Sequence, residues 1–176
     1  MKPTTFLALA LLTQAGGVAA QRAPAGTNNP ATKRVAFAQH CFWTGEMKLG
    51  QIEGVVRTEA GFIGGREVTL VEYAPDRIQL DDLARQALQA GVADRVHLES
   101  APPRPLAGVS NGAPLDRSYR PAPTSDQKKQ IEGTPFSRLE LSPEQATKVN
   151  AFVREDSSKA LGYLTPPQRE QLKSGK

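Results

Sequence analysis

Residues 34–54 read RVAFAQHCFWTGEMKLGQIEG, and a change of pattern inside this stretch sets the first two elements of the fold. From Arg34 to Gln39 the chain alternates, Val35 and Phe37 against Ala36 and Ala38, which predicts a strand. From Phe42 to about Gln51 a helix follows, with Phe42, Met47, Leu49 and Ile52 expected on its apolar face. Gly54 stands just beyond it, where a helix end favours glycine. Cys41 falls between the two elements. Its sulfur is therefore expected at a helix N-terminus, where unpaired backbone N–H groups and the macrodipole favour an anionic thiolate.

Working outward, Val55 to Phe62 and Glu67 to Tyr73 read as strands joined by Gly64-Gly65-Arg66, a glycine-rich connection suited to a hairpin. Pro75-Asp76 ends the second of them. Leu80 to Ala90 then reads as a helix, with Leu80, Leu83, Ala84, Ala87 and Leu88 on one face and Gly91 after it, and Arg95 to Glu99 as a further strand. The order β-α-β-β-α-β predicts an α+β protein, a ferredoxin-like plait in which two helices cover one face of an antiparallel sheet. The core is expected over residues 34–100.

Residues 101–124 are rich in Pro, Gly, Ser and Asn and are expected to wrap the surface as a long loop. A helical C-terminal extension follows over residues 125–176. Its first segment is expected to open at Ser125 and end before Gly133. Its second opens on Ser142-Pro143-Glu144-Gln145, a capping box with proline at the first helical position, and buries Ala146, Val149, Phe152 and Val153. Its third opens at Thr165-Pro166.

The N-terminal twenty residues have the three regions of a secretory signal peptide: a positive start at Lys2, an apolar run from Phe6 to Leu12, and small residues at Val18-Ala19-Ala20. Cleavage is expected after Ala20, leaving 21–33 as a flexible lead-in and a periplasmic or secreted product. The apolar run falls short of the roughly 20 residues of a spanning helix, so no stable membrane anchoring is expected. The mature part carries 21 basic and 18 acidic residues, a small and scattered excess without a basic stripe. That excludes nucleic acid as a natural partner. Cys41 is the only cysteine, so no internal disulfide can form in an oxidising compartment. A lone cysteine in an exported chain reads as an intermolecular partner, a free reactive thiol or a small buried hydrophobe.

The run from Phe37 to Glu46, with Cys41-Phe42-Trp43 at its centre, resembles the nucleophile motif of the A-type peptide-methionine sulfoxide reductases, Gly-Cys-Phe-Trp followed three residues on by glutamate. The likeness continues through Ile52-Glu53-Gly54-Val55-Val56, Thr58 to Gly65, and Glu67 to Pro75, then runs on through Ile78 to Leu83. It is strong over residues 34–90, and Asp126-Gln127-Lys128-Lys129 is faintly similar to a later helix of the family. Four short matches in order and at plausible spacing are far more specific than Cys-Phe-Trp alone.

The resemblance implies an oxidoreductase that repairs methionine-S-sulfoxide, free or in oxidised proteins. A thiolate would attack the sulfoxide sulfur while an acid protonates the departing oxygen, leaving a cysteine sulfenic acid. Carried over by residue, Cys41 is the nucleophile and Glu67 the carboxyl that holds or protonates the oxygen. Phe42 and Trp43 match the apolar wall for the S-methyl group, and Glu46 matches a further family position. His40 stands where the family has glycine. The family's loop with a pocket tyrosine is shortened here to Arg66, and Tyr119 is the candidate replacement. Resolving cysteines are absent, so no bound cofactor is expected but an external thiol is, from a small molecule or a thioredoxin-type protein. The alternative is a non-catalytic relative that binds peptides or Cu(I), with His40 and Cys41 joined by His97 or Met47 as the ligand set.

Overall fold

A computed structural model describes residues 31–100, 106, 108–115 and 118–175. The expected signal peptide, and the lead-in up to residue 30, lie outside the described residues. The elements run β1 (Lys33–Ala38), α1 (Phe42–Gln51), β2 (Val55–Ile63), β3 (Arg66–Tyr73), α2 (Leu80–Gln89), β4 (Arg95–Leu98), β5 (Ser110–Asn111), β6 (Arg120–Pro121), α3 (Pro143–Phe152), α4 (Ser157–Gly162) and α5 (Pro166–Ser174). Mixed α and β structure is what the sequence led us to expect.

The strands form one six-stranded sheet in the order β5-β4-β1-β3-β2-β6. β1 pairs antiparallel with both β3 and β4, and β2 pairs antiparallel with β3. The β2–β3 turn is two residues long, with Gly64 at φ +57° and Gly65 at φ +79°. Two successive positive φ values are what a hairpin turn matching strand twist needs, and glycine adopts them without Cβ strain. This turn fixes the register, with Ile63 opposite Arg66, Phe62 opposite Glu67 and Ala60 opposite Thr69.

Alternation along the strands divides the core in two. On one face Val35, Phe37, Val71, Tyr73 and Val96 pack with Leu49 of α1 and with Leu83, Ala84 and Ala87 of α2. Each fully buried Val, Leu or Phe among them contributes about 1.5–3 kcal/mol. On the other face Ala36, Ala38, Val68, Leu70 and Ile63 are covered by Leu115 and Tyr119 from the loop. The loop thus does more than wrap the surface: it adds β5 parallel to β4 at one edge and β6 antiparallel to β2 at the other. Two-residue strands carry too little periodicity to be read from sequence.

Three expected helix faces shift. In α1 the buried side chains are Phe42, Glu46 and Leu49, with Gly45 and Gly50 buried beside them, while Met47 is only half-buried. In α2 Leu88 turns outward at 40% exposure. In α3 Thr147, Asn150 and Ala151 join Val149 and Phe152 inside, and Ala146 sits at the margin. The segment opening at Ser125 is not an α-helix but a short 3-10 turn, Thr124–Asp126, followed by turns, because Lys128 takes φ +51°, outside the helical range. Both expected capping boxes form, Ser142 with Gln145 and Thr165 with Gln168.

The C-terminal helices build a second core of Ile131, Phe136, Leu139, Val149, Phe152, Val153, Ala160 and Leu164. It is locked to the first through α1 and α3, which approach so closely that a Cβ on Gly50 would lie 3.0 Å from that of Ala151. Lys148 Nζ donates to the terminal carbonyls of α1, at 2.7 Å to Gly50 and 3.3 Å to Ile52. Among the described residues no helix is long and apolar enough to cross a membrane.

Candidate active site

The first turn of α1 is built without a side-chain cap of its own. Cys41 is the N-cap residue, with extended backbone at φ −143° and ψ 113°, and a thiol is a poor acceptor for the free N–H groups of the turn. β3 supplies the acceptor instead: Glu67 Oε2 accepts the Phe42 N–H at 2.8 Å. A carboxylate and a half-buried free thiol therefore share one helix N-terminus.

Around them lies an aromatic group. Phe42 is buried and meets Phe62 edge-on, with centroids 5.5 Å apart and planes at 78°, and Trp43 likewise at 6.0 Å and 68°. Trp43 keeps 36% of its surface exposed. Nothing in the local sequence singles out Phe62, although the two-glycine turn places it opposite Glu67. Of the residues read from the sequence, Cys41, Phe42, Trp43 and Glu67 are brought together.

Residues 122–129 close this group on its far side. Ala122 packs with Phe42 and Ala60. The Gln127 amide pairs with the backbone of Ala60 as a neighbouring strand would, accepting its N–H and donating to its carbonyl, each at 2.9 Å. The Trp43 indole N–H donates to the Asp126 carbonyl at 3.1 Å, and Lys129 Nζ lies 5.4 Å from the Trp43 ring centroid. None of these contacts, 60 and more residues apart in sequence, had a local signal.

Glu46 and Tyr119 lie elsewhere. Glu46 is fully buried, and both its oxygens are taken: one by the Lys128 N–H at 2.7 Å, the other by Lys128 Nζ and, at 3.4 Å, by the Thr58 hydroxyl. Its visible work is to hold the 122–129 segment against α1. Tyr119 sits on the opposite face of the sheet from Glu67. Its ring covers Gly61, which is paired with Val68, and its hydroxyl donates to Glu59 at 2.5 Å. Burial and that bond push the phenol well above its ordinary range, so it stays a protonated donor, but toward Glu59 rather than the Cys41 side. The sequence reading failed here because one residue of register reverses the face.

His40 is exposed to solvent. His97, opposite Ala36 in β4, faces the Tyr119 side, where its Nδ1 is 2.7 Å from the Ala113 carbonyl and burial pushes its pKa down. The sheet thus separates it from the α1 N-terminus, and among the described residues no three His, Cys, Asp or Glu side chains are grouped to hold a metal.

No family model matches the chain. The peptide methionine sulfoxide reductase MsrA of Pseudomonas syringae pv. tomato is 28% identical over 77% of this chain and 62% of its own length. MsrA of Geobacter metallireducens is 32% identical over 32% of this chain and 45% of its own. The chain thus spans less than two thirds of the length of these relatives. Among solved structures, methionine sulfoxide reductase A of Corynebacterium diphtheriae aligns over 67% of this chain and 81% of its own, at 18% identity and TM-score 0.47. By these sequence relationships the chain is similar to the peptide methionine sulfoxide reductases MsrA, and its Cys41-Phe42-Trp43 and Glu67 are assembled at one helix start.

Proposed function

We propose that the protein reduces methionine-S-sulfoxide, free or in oxidised proteins, with Cys41 as nucleophile and Glu67 as the proton-donating carboxyl. The observation that carries this reading is the Glu67 bond to the N–H of Phe42, which brings a carboxyl to the residue next to the chain's single thiol. The Cys41 thiolate attacks the sulfoxide sulfur while Glu67 gives its proton to the oxygen. The oxygen then passes as hydroxyl to the Cys41 sulfur as the new S–S bond breaks, and solvent returns the proton to Glu67. The S–O bond to methionine breaks, leaving methionine and Cys41 as its sulfenic acid. Trp43 and Phe62 offer the apolar surface for the S-methyl group, Phe42 backing them from the core.

With one cysteine in the sequence, the sulfenic acid has no resolving partner within the chain. An external thiol condenses with it to a mixed disulfide and water, and a second thiol releases Cys41. A small thiol or a thioredoxin-type protein fills that role. We read β1 to β4 with α1 and α2 as a ferredoxin-like plait, and the leader over residues 1–20 as an export signal to the periplasm or beyond.

The test is direct: mature protein is incubated with methionine-S-sulfoxide and dithiothreitol, beside a Cys41→Ser control. Methionine formed only by the wild type is expected. Equal yields from the two would end the catalytic reading.

A further inference from the structure

Beneath the first turn of α1 lies a buried polar pair that the reaction as written does not use. Gln39 is 5% exposed and Thr69 is fully buried. The Gln39 amide end is 2.7 Å from the Thr69 hydroxyl, and all its neighbours are satisfied when it is oriented with the nitrogen donating to the carbonyls of Phe37 at 2.5 Å and Val92 at 3.2 Å and the oxygen accepting from the Thr69 hydroxyl and, at 3.2 Å, the Thr69 N–H. Its backbone N–H donates to the Glu67 carbonyl at 3.3 Å. Gln39 therefore grips β3 at two points, one at Glu67 and one two residues on, and Cys41 follows it by two residues. The Thr69 hydroxyl also lies 3.4 Å from the Phe42 carbonyl, so the turn bearing the thiol rests on this pair.

Gly45 shows how closely it rests. A Cβ there would stand 2.3 Å from Thr69 Oγ1 and 2.5 Å from the Gln39 side chain, so the helix seats directly on the two polar groups. Buried polar groups with all partners satisfied rigidify their surroundings, whereas an apolar contact of the same size lets the turn slide.

We propose that Gln39 and Thr69 are positioning residues for the proposed reaction, a strut that sets the distance from the Cys41 sulfur to the Glu67 carboxyl. The inference rests on Cys41 being the nucleophile and deepens that reading. Neither side chain touches substrate. Displacement of a reacting group by about 1 Å is enough to slow a reaction severely while substrate binding persists.

The experiment compares Thr69→Val, Thr69→Ser and Gln39→Met in methionine-S-sulfoxide reduction and in the rate at which iodoacetamide alkylates Cys41 at pH 7, with thermal unfolding alongside. Thr69→Val keeps the shape and loses the hydroxyl, and Thr69→Ser keeps the hydroxyl and loses a methyl. Thr69→Val and Gln39→Met are expected to lower kcat about tenfold at unchanged KM and to alter the alkylation rate, with Thr69→Ser within about twofold of wild type on both. Equal losses in the valine and serine variants, or wild-type kcat and alkylation in the valine variant, would overturn the strut. Alkylation reports on the sulfur whatever the substrate. A wild type that alkylates at Cys41 but yields no methionine therefore refutes the reductase reading, while the valine and serine variants still judge the strut.

Discussion

Glu67 of β3 and Phe42 of α1, 25 residues apart in sequence, are joined by a 2.8 Å hydrogen bond from the Phe42 N–H to the Glu67 carboxylate. The bond makes one side chain both the cap of a helix and a carboxyl held at the residue next to the thiol. The two roles separate by mutation.

Glu67→Gln retains an oxygen for the Phe42 N–H but has no proton to give. Its unfolding midpoint is expected close to wild type, with turnover of methionine-S-sulfoxide reduced at least about 100-fold, the lower range for a lost general acid. Glu67→Ala loses the cap as well and should cost about 1 kcal/mol in urea unfolding. Wild-type turnover in the glutamine variant would remove Glu67 from the chemistry.

The Glu46–Lys128 pair is buried, the lysine side chain at 17% exposure and the glutamate at 0%. Removing one partner strands the other charge, so Glu46→Gln is expected to destabilise the fold by about 3–5 kcal/mol. A Glu46→Gln, Lys128→Met double variant should recover much of that loss. Denaturant midpoints of the two variants, measured together, check the pair.

Tyr119→Phe tests the face of the sheet on which this residue acts. It removes the donor to Glu59, for an expected loss of about 1 kcal/mol in stability. Its kcat and KM for methionine sulfoxide should stay within about twofold of wild type. A drop of an order of magnitude would place the phenol in the substrate's path.

Burial pushes the pKa of Lys148 down to about 8, where a lysine in the unfolded chain titrates near 10.4. Between those values the unfolded chain holds a proton that the folded chain has released, so stability rises with pH across the window. Below about pH 8 both states are protonated and the contribution is flat. The urea midpoint of wild type should therefore gain on that of Lys148→Met between pH 8 and 10. Parallel profiles would show the ammonium to be well solvated.

The leader aside, the elements up to β4 were legible because their signals are local. Alternation marks β1, glycines with positive φ mark the hairpin, and Ser142 and Thr165 mark helix starts that form as read. The helix faces were less legible. Gly45 is buried because the sheet leaves no room for a Cβ, and Gly50 because a second helix approaches to 3.0 Å of where one would stand, which apolar periodicity cannot express. Lys128 broke an expected helix because Glu46, 82 residues away, holds both its backbone and its ammonium.

By itself the sequence determined that a thiol would stand at the junction of a strand and a helix, with aromatic residues after it and Glu67 across a tight hairpin, since each of these follows from spacing within a few residues. Only the tertiary structure decided which groups face that thiol. The register carries Glu67 and Phe62 to the helical side of the sheet and Tyr119 and His97 to the other. The physical reason is that a strand has two faces separated by a single residue, and long-range packing alone determines which of them a distant loop will cover.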